Sequence, residues 1–119
     1  MARGCDRAWV RETYKFAVKP TAAFFFRAPL DVAIDRIASA RPQLKFYEAG
    51  MDMDWADDEE ESFKIFQGKI LNEYDHMVNE FGLTVIDGTQ PIRTQQRQMR
   101  DIVSRYLKEK LKEKVVLAK

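Results

Sequence analysis

One cysteine, Cys5, and one histidine, His76, are all that 119 residues offer for thiol or imidazole chemistry. A lone cysteine cannot close an internal disulfide, which suits a reducing compartment. Cys5 has no visible activating base, and His76, without a cysteine near it, reads as a surface residue of a helix. No Ser/His/Asp or Cys/His arrangement is present for nucleophilic catalysis. An excess of either charge is missing too. Twenty Lys and Arg stand against 19 Asp and Glu, so net charge gives no reason to expect a nucleic-acid partner. No apolar run is long enough to span a bilayer, and Met1-Ala2-Arg3-Gly4-Cys5-Asp6 has no apolar segment behind its charge, as a signal peptide would. There are no internal repeats. With 45% hydrophobic and 33% charged residues the composition is that of a folded chain. The expectation is one cytoplasmic domain, since this length supports one core and not two.

Asp6 is placed as an N-cap, with Trp9, Val10, Thr13, Phe16 and Ala17 following at helical spacing until Pro20. Ala22-Ala23-Phe24-Phe25-Phe26 is continuously apolar and too short for a helix, the pattern of a strand covered on both faces. Pro29 opens a second helix with Leu30, Ala33, Ile34 and Ile37 on one face, and Pro42 closes it. Residues 40–58 lack periodicity and read as a surface loop. A long amphipathic helix is expected from about Glu59 to Phe81, with Phe63, Phe66, Ile70, Tyr74, Met77, Val78 and Phe81 at steps of three or four and Gly82 as C-cap. Leu83-Thr84-Val85-Ile86 is a second strand. Pro91 begins a last helix with Ile92, Met99, Ile102, Val103, Tyr106 and Leu107 facing inward, and a Lys/Glu-rich tail, 108–119, continues it or frays.

Helix, strand, helix, loop, helix, strand, helix is an α/β order that favours parallel pairing. Two strands make a poor sheet, however, and the all-Phe strand calls for neighbours on its edges as well as its faces. Independently of any family, this pattern suits one half of something larger.

The segment Val85-Ile86-Asp87-Gly88-Thr89-Gln90-Pro91 resembles the last strand–turn–helix element of the thymidylate kinase family, where Ile-Asp-Ala-Thr-Gln-Pro is common. Other pieces follow in the family's order. Arg3-Gly4-Cys5-Asp6 resembles its Arg-Gly-x-Asp helix start, and Lys19-Pro20-Thr21 followed by Phe24-Phe25-Phe26 its Pro-Asp-Leu-Thr strand entry. Pro29-Leu30-Asp31-Val32-Ala33-Ile34-Asp35-Arg36 resembles its Pro-x-Glu-Val-Ala-x-x-Arg helix, Phe46-Tyr47-Glu48 its lid, and Glu61-Ser62-Phe63 through Tyr74 the helix after the lid. The resemblance implies a single partial domain over 1–119: the C-terminal part of a parallel-sheet P-loop kinase fold, with two short strands, about four helices and a lid-like loop at 40–58.

What the resemblance implies for function is equally specific. The complete enzyme would phosphorylate dTMP or a related nucleoside monophosphate from ATP and Mg. Arg36 and Arg41 would approach the ATP phosphates from the lid side, with Lys45 as a substitute for a lid arginine where Phe46 stands. Thr89, Gln90 and Pro91 would line the adenine side. Arginine suits phosphoryl transfer, which is mostly positioning and charge neutralisation. Arg36 also reads as a solvated surface arginine, and Asp87 as a cap of its own turn. No metal ligands are assigned; Asp57-Asp58-Glu59-Glu60-Glu61 lacks the calcium-loop pattern and sits where negative charge favours a helix start.

The sequence departs from the family at several points. Thr21 stands where the family has Asp after Pro, Arg27 where an Asp often ends the strand, and 50–60 is an acidic insertion. No Gly-x-x-x-x-Gly-Lys-Ser/Thr occurs, so nothing in this chain cradles phosphate with backbone amides. The chain alone is expected not to transfer phosphate. Its expected partners are a missing N-terminal P-loop half or another copy, together with a nucleotide; no nucleic acid or membrane is expected. Two competing readings stay open: a non-catalytic binding or dimerisation module derived from this fold, and a helical adaptor that packs its Phe-rich face on a partner.

Overall fold

Phe24–Arg27 (β1) and Thr84–Asp87 (β2) lie side by side as a parallel pair in the computed structural model, which describes residues 1–40 and 44–118. The register sets Phe24 against Thr84, Phe25 against Val85, Phe26 against Ile86 and Arg27 against Asp87. Backbone bonds from Thr84 N to Ala23 O (2.9 Å) and from Gly88 N to Arg27 O (2.7 Å) close the ladder at its two ends. Both strands therefore finish together, at Arg27 and Asp87. The crossover between them is built from two helices. Leu30–Ala40 (α2) runs into a loop containing a single 3-10 turn, Met51–Met53, and Glu59–Phe81 (α3) returns to β2. Arg7–Thr13 (α1) precedes the sheet and Ile92–Ala118 (α4) follows it.

The long helix is defined by its ends. The Asp58 carboxylate accepts from Glu61 N at 3.1 Å, and Glu59, Glu60 and Glu61 fill the first turn, where negative charge complements the helix dipole. At the other end Gly82 adopts φ +65°, and its amide, like that of Leu83, returns to Val78 O. Ser62, Phe63 and Phe66 on its first two turns are buried, and they organise the loop before them. Ser62 Oγ donates to Ala49 O at 2.6 Å, Ala49 is fully buried, and the Trp55 ring meets Phe66 edge-on at 5.5 Å. Gly50 turns the chain there with φ +70°. The segment expected to be a plain surface loop thus has a buried middle.

Elsewhere the expected core is thin. Among the described residues only Ala49, Phe63, Phe66 and Ile86 are buried apolar side chains. Phe25 stacks on Tyr74 at 5.1 Å, yet Phe26 and Tyr74 remain substantially exposed, so β1 is not covered on both faces. Helix α1 ends at Thr13, before the predicted Phe16 and Ala17, and buries nothing. Trp9 is 62% and Phe16 80% exposed, against the expected inward stripe. Its attachment is ionic instead. Arg3, Arg7 and Arg11, four residues apart, pair with Asp52, Glu73 and Glu80, and Arg3 and Arg11 lie over the rings of Phe66 and Phe81. Helix α4 continues unbroken through the predicted tail to Ala118, with Ile92, Val103 and Leu107 exposed rather than inward.

The dimensions follow from this. A compact chain of 119 residues has a radius of gyration of about 13.5 Å; here it is 18.7 Å, with extents of 66 × 37 × 19 Å. The accessible surface is 9352 Å², where a compact monomer of this mass exposes about 6,700 Å².

Candidate functional site

In parallel α/β sheets, ligands gather beyond the carboxyl ends of the strands. Here that region is the turn Asp87-Gly88-Thr89-Gln90-Pro91. Asp87 accepts from Thr89 N (2.9 Å), Thr89 Oγ1 (2.6 Å) and Gln90 Nε2 (3.4 Å). These donors hold its carboxyl below the usual range, the Thr89 hydroxyl contributing most. The reading of Asp87 as a cap of its own turn agrees with this geometry. Gly88 sits so close to β1 that an added Cβ would lie 2.9 Å from Arg27 O; a side chain there requires the turn to move. Pro91 O starts α4 by accepting from Thr94 N and Gln95 N at 2.9 and 3.1 Å.

The turn is held from two further directions. Arg36 Nη1, from α2, donates to Gly88 O at 2.8 Å, and Gln95 Nε2, from α4, donates to Gly88 O at 3.2 Å and Gln90 O at 2.6 Å. Arg36 and the 87–91 turn, 52 residues apart, are therefore one assembly. Arg36 also lines a cleft of about 580 Å³ between α2 and α3, with Ile37, Phe63, Phe66 and Ile70 as its apolar wall and Arg3, Tyr47 and Gln67 as polar rim. The cleft has the volume of a small-molecule site and its balance of apolar wall and few polar groups.

Not every expected residue joins this assembly. Lys45 is exposed and is not among the residues lining the cleft; its backbone amide donates to Glu48 at 3.2 Å. Arg41 lies outside the described residues. Thr89 and Gln90 are exposed, with their side chains turned onto Asp87. Two participants were not assigned from sequence. Arg3 bonds Asp52 and Tyr47 O while covering Phe66, and so ties the loop to the cleft. Gln95 fastens the turn to α4. Arg3 belongs to a quoted motif, but its partners are 44 and 49 residues away, and no local pattern announces them. Gln95 had a local signal, falling five residues after Gln90 in the first turn of a Pro-started helix.

Arg27, an apparent departure, has a structural reason. Its guanidinium forms a two-pronged pair with Asp75 of α3, at 2.8 and 3.1 Å, fastening the end of β1 to α3. The same hydrogen bonds lower the Asp75 carboxyl and raise Arg27.

For a nucleotide the fit is partial. The turn is exposed and Arg36 brings a cation to it, but the carbonyls of Gly88 and Gln90 already accept from Arg36 and Gln95. Among the described residues no three His, Cys, Asp or Glu side chains converge to hold a metal ion, and no helix is long and apolar enough to cross a membrane.

No protein-family model matches the chain. Its sequence is 33% identical over 108 residues to the probable thymidylate kinase 2 of Saccharolobus solfataricus. The match covers 90% of this chain and 51% of that protein, so the chain spans about half the length of the relative. The resemblance carried by the Asp87–Pro91 turn and the segments before it is thereby borne out: this chain is related in sequence to a thymidylate kinase over nine-tenths of its own length.

Proposed function

We propose that the chain is the C-terminal part of a thymidylate kinase-like P-loop fold, contributing the lid and the adenine-side turn to an ATP-dependent nucleoside monophosphate kinase, and inactive alone. The observation that carries this reading is the Arg36–Gly88 bond. It gathers, at the carboxyl ends of two parallel strands, the arginine and the turn that the resemblance assigns to ATP. In this role Thr89, Gln90 and Pro91 border the adenine, while Arg36, with Arg41 and Lys45 from the lid-like loop at 40–58, faces the phosphates. ATP supplies the transferred phosphoryl group and Mg neutralises its charge; the backbone cradle for both belongs to the complementary half.

The surface statistics favour the same reading. Roughly 2,700 Å² more surface is exposed than in a compact monomer of this mass, the scale buried per partner in permanent assemblies. The experiment is complementation. The chain is co-expressed with the P-loop half of a thymidylate kinase, and ATP and dTMP binding are followed by calorimetry. Binding of ATP by the pair but by neither half supports the proposal. A well-folded chain that gains no ATP binding from the added half overturns it and favours the non-catalytic module.

A further inference from the structure

From Thr89 to Arg93 every residue is exposed, so beyond the buried Ile86 apolar packing does not fix where the 87–91 turn lies. Hydrogen bonds to Gly88 do. Its carbonyl accepts from Arg36 Nη1 and Gln95 Nε2, and its amide donates to Arg27 O at 2.7 Å. The turn therefore takes its position from α2, from α4 and from the last residue of β1. With 2.9 Å between Arg27 O and a Cβ built on Gly88, the approach to β1 leaves no slack.

Arg27 is in turn placed by α3. Side chains of a strand alternate between its two faces, and Phe25 and Arg27 share one. Phe25 stacks on Tyr74 at 5.1 Å, and the Arg27 guanidinium holds both oxygens of the adjacent Asp75 at 2.8 and 3.1 Å. The stack fixes the middle of β1, and the ion pair fixes its end, where Gly88 docks. Breaking the pair leaves Phe25 on Tyr74 and releases the last residue of the strand. Residue 27 is also where an Asp often ends this strand in the thymidylate kinase family. An acid there would face Asp75 as a like charge, so the arginine at 27 and the acid at 75 belong together.

We propose that Arg27 is a positioning residue for the 87–91 turn: anchored by Asp75, it sets the turn against α3, the helix that walls the cleft beside Arg36. The positioning follows from these contacts alone. Its consequence rests on the kinase reading, in which the turn borders adenine and Arg36 faces phosphate. There the Asp75–Arg27 pair sets the spacing between the sites for two parts of one ATP, and Arg27 acts through Gly88 without touching the nucleotide.

Amide hydrogen exchange by NMR on the full chain tests the positioning. In Asp75→Asn the Gly88 amide is expected to exchange about fivefold faster, the scale of a partly exposed ion pair. The Thr84 amide, bonded to Ala23 O at the other end of the ladder, is expected to keep its rate, whereas a general loosening of the sheet would speed both. Arg27→Asp should speed Gly88 at least as much, and R27D/D75R should return it to the wild-type rate, with unchanged circular dichroism verifying the fold throughout. Three results overturn the proposal: an unchanged Gly88 rate in Asp75→Asn, acceleration of Thr84 by the same factor, or a double variant no slower than Arg27→Asp alone. Calorimetry on the chain paired with the P-loop half reads the consequence. There D75N should weaken ATP binding about fivefold and leave dTMP binding unchanged; equal losses for both nucleotides overturn that consequence. A wild-type pair that binds no ATP removes the kinase reading alone, because the Gly88 rates are measured without it.

Discussion

Replacing Gly50 by alanine separates two costs that a glycine at positive φ usually hides together. Gly50 has φ +70° and Gly82 φ +65°, so alanine meets nearly the same backbone penalty at both, roughly 1–2 kcal/mol. Their surroundings differ completely. A Cβ on Gly82 meets nothing within 4 Å, whereas one on Gly50 would sit 2.6 Å from Phe66 Cδ2 and 2.8 Å from Trp55 Cζ3. Those rings pack edge-on against each other and Phe66 is buried, so neither yields freely. Overpacking of this kind adds about 1–3 kcal/mol. G82A is therefore expected to lose about 1–2 kcal/mol and G50A about 2–5 kcal/mol. Urea unfolding of both variants, followed by far-UV circular dichroism and tryptophan fluorescence, reads the difference directly. If G50A is no less stable than G82A, the loop does not pack on α3 as described, and the cleft beside it loses one of its walls.

Other expectations follow from single contacts. Ser62→Ala removes the donor to Ala49 O in a buried setting and is expected to cost about 1–3 kcal/mol, measured by the same urea titration. The Asp75 carboxyl is lowered in the folded chain by its hydrogen bonds to Arg27, then by that charge. Its contribution is accordingly complete above the ordinary aspartate value of about 3.9 and lost as pH falls through the lower folded value. Asp75→Asn should flatten the loss of stability between about pH 4 and 2; an unaltered acid profile would refute the linkage. In the reconstituted enzyme, Arg36→Ala is expected to weaken ATP binding about tenfold or more. Thr89 and Gln90 substitutions should also weaken ATP binding, with monophosphate binding nearly untouched, and calorimetry showing the reverse pattern would reassign the turn.

Local signals are legible in this sequence, and distant ones are not. Helix α3 is legible from Glu59 to Phe81 because capping acids, a 3.6-residue stripe and a glycine all act within a few residues of one another. The strands are displaced by one or two residues from their expected bounds, since continuous apolar runs carry no alternation to fix an end. Residues Trp9 and Phe16 misled because a stripe of apolar side chains signals burial only when a surface exists to receive it. The order in the 44–58 segment rests on Ser62 meeting Ala49 and on Gly50 clearing two rings, contacts made only after the chain has turned back. At the candidate site, the turn and Arg36 were legible as separate motifs. That they touch was not, because the bond spans 52 residues. Lys45, singled out by its charge and its place in the segment, is exposed and does not line the cleft beside Arg36.

The arginine ladder of α1 gives this short helix a different kind of stability from the rest of the chain. Two guanidinium–carboxylate pairs of its own, with a third from Arg3 just before it, hold it, and no side chain of the helix is buried. Detaching it exposes little apolar surface, so its opening carries little dependence on denaturant and much on ionic strength. Amide protons of Arg7–Thr13 should therefore exchange as a cooperative unit of their own, one that salt releases while α3 stays protected.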